Sequence, residues 1–289
     1  MLAPYPTSAT VALPWGMDLV VDPAEALGAI VLRNAVYELA VSEIIYRLSD
    51  PGDVALDIGA NIGYMTSIFA ARVGLAGTVI ACEPHPGLFK RLSSNVETWM
   101  KTSSALPAIR PMEVALSDHS GKAQLSVPPE FDVNMGTAGL VEDGGGNSIE
   151  VTAVQLDKLI PAGSSVGVAK IDVEGHEARV LAGGQQTLSN QRIRDLVFEE
   201  HRGYPSAATS LLESMGYRIF GIEQRLRRLV ISDPSEARAP HDGSPPNFVA
   251  SCQPDRLITR LAPAGWRTLR PRSAGVRRSG QARAAFSAG

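Results

Sequence analysis

Acidic side chains recur where short apolar runs of the sequence end. The runs are rich in β-branched residues and bounded by turn residues, which is typical of buried strands. The carboxyl ends of parallel strands meet at one edge of a sheet, so we expect these side chains to converge there. Carboxylates at such an edge could bind ammonium or hydroxyl groups, or remove a proton during catalysis. The polar residues at predicted strand ends are Asp57, Glu83, Ser117, Asp172 and Glu199.

Gly59 and Gly63 follow the first of these strands and precede a helix predicted over residues 62–72. A strand, a glycine turn and a helix form a site where a small molecule can lie against bare backbone. The spacing is Gly-x-x-x-Gly, whereas a pyrophosphate-binding turn reads Gly-x-Gly-x-x-Gly. Asp57 is expected to face the ligand, where it would repel a pyrophosphate and attract an ammonium group. The two features favour S-adenosylmethionine over NAD.

Glu83 ends the second predicted strand, about 20 residues after the glycine turn. A carboxylate at that place can accept hydrogen bonds from both hydroxyls of a ribose. Because NAD and S-adenosylmethionine both contain a ribose, Glu83 does not distinguish between them. The structural alternative is a surface acid, which fits poorly after a buried strand.

Four ordered motifs resemble those of the FkbM-type methyltransferases, within the class I S-adenosylmethionine-dependent enzymes. The resemblance extends over roughly residues 35–220. It implies an adenine ring at the end of the third strand and an acceptor hydroxyl on a sugar or secondary metabolite. Methylation of nitrogen or of a carboxyl group is the alternative, because a fold does not fix a substrate. The motifs are residues 56–66, 81–86, 114–118 and 170–177.

The predicted site residues are taken from the family motifs and from the polar residues at predicted strand ends. Asn61 and Thr66 match the family and could equally be turn and helix-surface residues, and His176 is interpreted as a solvent-exposed or helix-start residue. Methyl transfer to a hydroxyl needs a base, and Asp172, Glu174, Glu199 and His201 are the catalytic candidates. The cofactor-binding candidates are Asp57, Gly59, Ala60, Asn61, Gly63, Thr66, Glu83, Pro84, Ala115, Ser117 and Asp172.

Asp172, Glu174 and Glu199 are also oxygen ligands that Mg²⁺ would accept. No spacing in the sequence demands a metal, and none is predicted. Two other function classes compete with a methyltransferase. An NAD-dependent oxidoreductase conflicts with the glycine spacing and with Asp57. A binding protein with a degenerate pocket conflicts with the intact Asp57, Gly59, Gly63 and Glu83.

Alternating strands and helices predict an α/β fold. We expect a Rossmann-like, doubly wound sheet of seven strands, mostly parallel, with strand seven antiparallel and helices on both faces. Strand three is predicted over residues 107–116, a hairpin turn at Gly121 and Lys122, and one helix over residues 174–188. Residues 134–147 form a glycine-rich loop expected on the substrate side.

Three segments are predicted. Residues 1–34 form an N-terminal segment with a strand or two, or a lid over the substrate. Residues 35–252 form the methyltransferase domain. Residues 253–289 carry eight arginines against one aspartate and are interpreted as a disordered tail.

Composition limits the surroundings of the protein. The formal net charge is −3, and the two cysteines, one of them in a predicted core strand, favour a reducing compartment. No run approaches the ~18 apolar residues of a membrane span, and no signal peptide is apparent, so the cytoplasm is expected. The arginine-rich tail lacks aromatic interleaving beyond Trp266, so the predicted partner is a small-molecule acceptor, without nucleic acid or membrane. The oligomeric state is left open, with a homodimer as one option.

Overall fold

The computed structural model describes residues 8–129, 131, 134–141, 147–161, 163–237 and 244–270. Its helices, in chain order, are α1 (Ala26–Asn34), α2 (Leu39–Leu48), α3 (Tyr64–Val73), α4 (Pro86–Thr102), α5 (Leu156–Leu159), α6 (Glu177–Ala182), α7 (Gln185–Ser189), α8 (Ala207–Ser214) and α9 (Pro254–Leu261). Its strands are β1 (Ala9–Ala12), β2 (Asp18–Val21), β3 (Val54–Ile58), β4 (Thr78–Cys82), β5 (Ala108–Met112), β6 (Ala115–Ser117), β7 (Gly121–Ser126), β8 (Gly139–Val141), β9 (Ser148–Gln155), β10 (Val166–Ile171), β11 (Ile193–Glu199), β12 (Arg218–Arg225), β13 (Arg228–Ser232) and β14 (Asn247–Ser251).

An eight-stranded sheet in the order β13-β12-β14-β11-β10-β3-β4-β5 forms the centre of the protein. The five strands from β11 to β5 are parallel, and β14 is antiparallel to both β11 and β12. Successive residues of β3 pack into different apolar clusters, Ala55 into one and Leu56 into the other. Each face of the sheet is therefore covered, as the doubly wound fold requires. The antiparallel strand near residue 248 is confirmed.

The predicted count of seven strands is wrong by one, because β12 continues through a tight turn into β13. The two strands pair antiparallel from Gly221 with Ser232 to Arg225 with Arg228. Leu226, at the tip of this hairpin, is 93% exposed. The turn between the strands consists of Leu226 and Arg227, which lack the glycine or asparagine typical of two-residue hairpins.

The predicted third strand is two strands in different sheets. β5 joins the central sheet, whereas β6 joins a four-stranded sheet in the order β6-β9-β7-β8. A tight turn separates them, in which Val114 N donates to Met112 O at 3.0 Å. The predicted turn at Gly121 and Lys122 is also wrong, because both residues begin β7 and pair with Ala153 and Thr152 of β9.

The predicted helix over residues 174–188 is interrupted between α6 and α7. Gly183 caps the end of α6, and a Cβ there would lie 2.0 Å from Ser117 O. The chain approaches the end of β6 too closely at this point for any side chain. The substrate-side loop is partly regular, because Met135–Thr137 forms one turn of 3₁₀-helix and β8 follows. Residues 142–146 of that prediction lie outside the described residues.

The N-terminal segment contains the predicted strands, a β1-β2 hairpin, and the helix α1. The hairpin is held against α4, where Asn95 Oδ1 accepts from Val20 N at 3.0 Å and Trp99 Nε1 donates to Asp18 O. Trp15, at the end of the hairpin, is 2% exposed and donates to Ser67 Oγ of α3. Residues 9–34 are thus part of the packed core. In the described part of the chain, no helix combines the length and apolar character that crossing a bilayer needs.

The prediction of a disordered C-terminal tail is wrong for residues 253–270. Leu257 and Leu261 of α9 are buried in the core. Arg256 pairs with Asp195 at 3.0 Å and with Asp50 at 2.5 Å. The arginine side chains that suggested a solvated tail are therefore partners of acids on the sheet and on the loop after α2. Residues 271–289 lie outside the described residues.

Candidate active site

The carboxyl ends of β4, β3, β10 and β11 open into one pocket of about 810 Å³. Neighbouring parallel strands in register place the residue after each strand along a single edge, which is where ligands bind in open α/β sheets. The predicted site residues on its wall are Gly59, Ala60, Asn61, Glu83, Pro84, Ala115, Asp172, Glu174 and Glu199. Those off the wall are Asp57, Gly63, Thr66, Ser117 and His201.

Glu83 follows β4 and is 5% exposed. Its carboxylate accepts from Asn61 N at 2.8 Å and from His85 N at 2.9 Å, one bond to each oxygen. Asn61 adopts the left-handed conformation, with φ of 50°, that aims its N–H at Glu83. Burial raises the pKa of Glu83 to about 7, against the lowering effect of those two N–H groups. The side chain is therefore a fixed acceptor whose charge changes near neutral pH.

The two glycines of the turn are required by packing. Gly59 has φ of 80°, and a Cβ there would lie 1.8 Å from Asp172 O. Gly63 has φ of 96°, and a Cβ there would lie 2.8 Å from Leu92 Cδ1 of α4. Gly59 borders the pocket, but its lack of a side chain is explained by the adjacent β10 loop. Gly63 lies off the pocket wall, whereas the close approach of a ligand to Gly59 stays a prediction.

Asp57 is fully buried and does not reach the pocket wall, contrary to the expectation that it faces the ligand. Its Oδ2 accepts from Thr66 Oγ1 at 2.5 Å, whereas its Oδ1 has no partner. Burial raises the pKa of Asp57, and the nearby Lys170 and Thr66 act in the opposite direction. Any contribution of Asp57 and Thr66 to ligand binding is therefore made from beneath the wall.

Lys170 connects this buried acid with the pocket. The side chain is 7% exposed, and Nζ donates to Asp172 Oδ2 at 2.6 Å. Burial alone would lower the pKa of Lys170, but the carboxylates of Asp172 and Asp57 raise it well above its usual value. The lysine therefore stays charged and compensates two acids at the ends of β3 and β10.

The far side of the pocket is acidic. Glu174 and Glu199 line it, and His201 Nε2 lies 3.4 Å from Glu199 Oε2 and 3.9 Å from Glu174 Oε2. Burial, reinforced by Asp172, raises the pKa of Glu174 to about 7. The same two causes raise the pKa of Glu199 to about 9. Glu174 is also held in the left-handed region at φ of 53°, a conformation that is costly outside glycine and clusters at functional sites.

Ser117 is fully buried at the end of β6 and serves a neighbour on the wall. Its Oγ lies 2.9 Å from Nε2 of His176, which lines the pocket. His176, interpreted from sequence as a helix-start residue, does precede α6, and burial lowers its pKa. The bond to Ser117 orients the imidazole, so Ser117 acts on the pocket through His176.

Several wall residues escaped the sequence analysis, among them Tyr37, Glu38, Lys170 and Leu269. A lysine two residues before Asp172 was the one available signal, since side chains at i and i+2 share a face of a strand. Within the described ranges, no group of three His, Cys, Asp or Glu side chains is placed to hold a metal ion.

The sequence profile of the methyltransferase FkbM domain matches residues 57–219, which is more than half of the chain. The chain belongs to the FkbM methyltransferase family. The predicted family and the predicted S-adenosylmethionine-dependent methyltransferase class are confirmed. The NAD-dependent oxidoreductase alternative is thereby set aside.

Two curated relatives of this FkbM-family methyltransferase are similar over most of their length. The hexuronic acid methyltransferase AglP of Haloferax volcanii is 30% identical over 184 residues, which cover 63% of this chain and 70% of the relative. The 31-O-demethyl-FK506 methyltransferase FkbM of Streptomyces tacrolimicus is 31% identical over 202 residues, which cover 58% of this chain and 74% of the relative.

Two crystal structures resemble the FkbM-family chain at low sequence identity. Methyltransferase FkbM from Methylobacillus flagellatus is 15% identical, with a TM-score of 0.43 over 78% of this chain and 60% of the other. An SAM-dependent O-methyltransferase from Thermotoga maritima is 14% identical, with a TM-score of 0.45 over 84% of this chain and 92% of the other.

The family match divides the pocket into two parts. Glu83, Asp172, Glu174 and Glu199 lie inside residues 57–219. A second set of wall residues lies before or after the match. It comprises Glu25, Ala26, Leu27, Ile30, Asn34, Val36, Tyr37, Glu38, Leu39, Gln224, Ser244, Pro245 and Leu269. These residues show that the pocket is built partly by segments outside the matched domain.

Proposed function

We propose that the protein binds S-adenosylmethionine in this pocket and transfers its methyl group to a hydroxyl of a small-molecule acceptor. The observation that carries the proposal is the Glu83 carboxylate, fixed by Asn61 N and His85 N on the pocket wall. Each oxygen has one lone pair engaged and one left over, a pattern that suits a ribose diol.

The order of the strands supports one orientation of the methyl donor. Apolar Val114, Ala115 and Leu116 line the wall beside β5 and suit the adenine. Glu83 on the neighbouring β4 suits the ribose. Lys170 and Asp172 on β10, two strands further along, suit the carboxylate and the ammonium of the methionine end. The buried Asp57 supports that end indirectly, through its electrostatic effect on Lys170.

The acidic far side then faces the acceptor. Bound S-adenosylmethionine supplies an activated methyl group on a sulfonium leaving group. Glu174, with a pKa of about 7, is half-deprotonated at neutral pH and can take the proton of an acceptor hydroxyl. Glu199, with a pKa of about 9, keeps its own proton and can donate a hydrogen bond that orients the same hydroxyl. His201 contacts both carboxyl groups from outside the wall and holds their relative position.

The names of the relatives support oxygen as the methylated atom. One is named for a hexuronic acid and the other for a 31-O-demethyl compound, so a sugar or a secondary metabolite is the proposed acceptor class. Nitrogen or carboxyl methylation is the second candidate, and identification of the methylated product separates the two.

Calorimetric titration with S-adenosylhomocysteine and with NAD tests the cofactor. We expect the first to bind and the second not to bind. Incubation with methyl-labelled S-adenosylmethionine and a metabolite extract then identifies the acceptor by the label it gains. Glu174→Gln should retain S-adenosylhomocysteine binding and lose methyl transfer, whereas Glu150→Gln, at an exposed position of β9, should retain both. A protein that binds NAD and not S-adenosylhomocysteine would refute the proposal.

A further inference from the structure

Along the part of the pocket wall that the structure describes, acidic side chains outnumber basic ones. Among the described residues that line it there is one lysine and no arginine. The lysine is Lys170, which is bound to Asp172 and, in the proposed function, is occupied by the methionine carboxylate of the methyl donor. The acidic residues of the wall are Glu25, Glu38, Glu83, Asp172, Glu174 and Glu199. An acceptor with a carboxylate or phosphate would therefore lose its hydration without gaining a partner.

The titration behaviour of the wall agrees with this inventory. The pKa values of Glu174 and Glu199 are raised to about 7 and about 9, because both groups are partly withdrawn from water beside Asp172. A further anion among them would meet the same repulsion. By contrast, an uncharged hydroxyl can accept from a protonated carboxyl group and donate to an ionised one, without any charge to neutralise.

Apolar side chains also line the acceptor side, among polar ones such as Asn134 and Gln224. Leu27 and Ile30 of α1 line the pocket together with Met135 and Leu269. Leu27 and Met135 are partly buried against the core, whereas Leu269 is 46% exposed. Exposed apolar surface beside a polar group suits a ligand that has one hydroxyl in the acidic part and an apolar body outside it. Leu27, Ile30 and Leu269 lie outside the segment matched by the family, whereas Met135 lies inside it.

Leu269 is held in place by an unusual buried pair. Residues 262–270, the C-terminal strap, cross α2, where Glu43 and Arg47 are 0% and 1% exposed and lie 2.5 Å apart. Arg47 donates to the carbonyls of Leu261, Pro263 and Gly265 at 3.2, 2.6 and 2.5 Å. Glu43 accepts from the backbone N–H groups of Arg267 and Thr268, at 2.8 and 2.9 Å, and from Thr268 Oγ1 at 2.8 Å.

These bonds fix the residue immediately before Leu269. They connect it to the same helix, α2, whose first residues place Glu38 and Leu39 on the pocket wall. The position of Leu269 is thus determined by buried, charge-assisted hydrogen bonds, although its own side chain is half-exposed.

We propose that the acceptor is an uncharged alcohol with an apolar body, and that Leu269 helps to select it. Sugar acids and phosphorylated sugars are then excluded. The inference rests on the proposed function for the position of the methyl donor. It separates this chain from the Haloferax volcanii relative, whose name specifies a hexuronic acid.

A matched pair of probes tests this, octyl β-D-glucoside and octyl β-D-glucuronide, which differ by one carboxylate on the same apolar body. Binding is measured below their micelle-forming concentrations by calorimetry on the full chain saturated with S-adenosylhomocysteine. We expect the glucoside to bind at least about tenfold more tightly than the glucuronide, the order of effect expected for one uncompensated charge near a protein surface.

Leu269→Arg places a cation at an exposed position of the wall. It should improve glucuronide binding and so reduce the ratio of the two dissociation constants, glucuronide over glucoside, several-fold. Leu226→Arg is the matched control, since Leu226 is exposed at the β12-β13 turn and off the wall. It should leave the ratio unchanged. Equal or tighter binding of the glucuronide by the unmodified chain would overturn the charge selection. An unchanged ratio in Leu269→Arg would overturn the role of Leu269.

Binding of neither probe, with S-adenosylhomocysteine bound normally, would overturn the assignment of an apolar alcohol and leave the cofactor proposal standing. Failure of S-adenosylhomocysteine to bind would refute the proposed function itself, and the acceptor inference with it.

Discussion

Nζ of Lys170 lies 2.6 Å from Oδ2 of Asp172, at the point where β10 ends and the pocket begins. The lysine is buried, and its charge also acts on the fully buried Asp57 of the adjacent β3. One cation thus compensates acids at two strand ends. Removing one partner of a buried ion pair costs more than the pair contributes, because the other charge is left without compensation.

Lys170→Met should therefore lower the free energy of unfolding by about 3–5 kcal/mol. Asp57 and Asp172 would be left buried or half-buried without their cation. Urea unfolding monitored by circular dichroism measures the loss. Lys101→Met is the control, because Lys101 forms an exposed pair with Glu97 on α4, and its midpoint should not change. Equal midpoints for both variants would contradict the compensating role of Lys170.

The affinity for S-adenosylhomocysteine should rise with pH through about 7. Below that pH the Glu83 carboxyl group holds a proton, and above it both oxygens can accept from ribose hydroxyls. Calorimetry between pH 6 and 8.5 measures the change. Glu83→Gln should weaken binding by about 1.5–3 kcal/mol, the usual cost of losing hydrogen bonds to a charged group. The variant should also lose the pH dependence, and a slope retained in it would assign the titration to another group.

Stability should fall as pH rises, in a way that depends on Glu199. The folded-state pKa of about 9 lies above the ordinary value of 4.5, so the folded protein binds the proton more tightly than the unfolded chain does. The resulting stability is fully present below about pH 4.5 and is lost as pH rises through about 9. Between pH 6 and 9, the urea midpoint of Glu199→Gln should therefore fall less than that of the unmodified protein. The urea midpoint of Glu97→Gln, a change at an exposed position of α4, should fall over the same pH range as much as that of the unmodified protein.

Two glycines with the same backbone conformation should respond differently to alanine. Gly52 and Gly59 have φ of 88° and 80°, but a Cβ on Gly52 meets nothing within 4 Å. Gly52→Ala should cost only the left-handed conformation, about 1–2 kcal/mol. Gly59→Ala must also displace the backbone of Asp172, so it should cost clearly more and weaken S-adenosylhomocysteine binding. Similar urea midpoints for Gly52→Ala and Gly59→Ala would show that the loop after β10 can move at little cost in stability.

The C-terminal strap gives the clearest test of the corrected domain boundary. Removal of residues 253–289 should unfold the protein or lower its urea midpoint strongly, because α9 and the partners of Glu43 and Arg47 are lost. Removal of residues 271–289 should preserve the midpoint. The disordered-tail prediction expects no change in either case. Hydrogen exchange at the Thr268 amide, which donates to a buried carboxylate, should be slow in the full chain and fast in Glu43→Ala.

The sequence was sufficient for β3, β4 and β10 because each is a short, largely apolar run with an acidic residue at its end or directly after it. Asp172, Glu174, Glu83 and Glu199 reach one pocket because strand ends in a parallel sheet share an edge. The same pattern does not predict the direction in which a buried side chain points. Asp57 follows the same pattern as Glu83, yet it lies beneath the wall and bonds to Thr66.

Features that depend on distant partners could not be predicted from local patterns. The arginines of α9 read as a solvated tail until Asp50 and Asp195 are placed beside them, more than 50 residues away in the sequence. Tyr37, Glu38 and Leu269 carry no motif, and their place on the wall follows from α2 and the strap that crosses it. The local sequence placed Gly183 inside one continuous helix. The need for glycine there comes from Ser117 O, which belongs to a strand distant in the sequence.

The crossing of α2 by the strap also bears on how the enzyme matures during translation. Residues 57–219 leave the ribosome before residues 262–270, so the parallel strands β3, β4, β5, β10 and β11 are synthesised before the strap that positions Leu269. Glu43 and Arg47 would lack their backbone hydrogen-bond partners until the strap has been synthesised. Recognition of the methyl acceptor would then begin as one of the last events of biosynthesis.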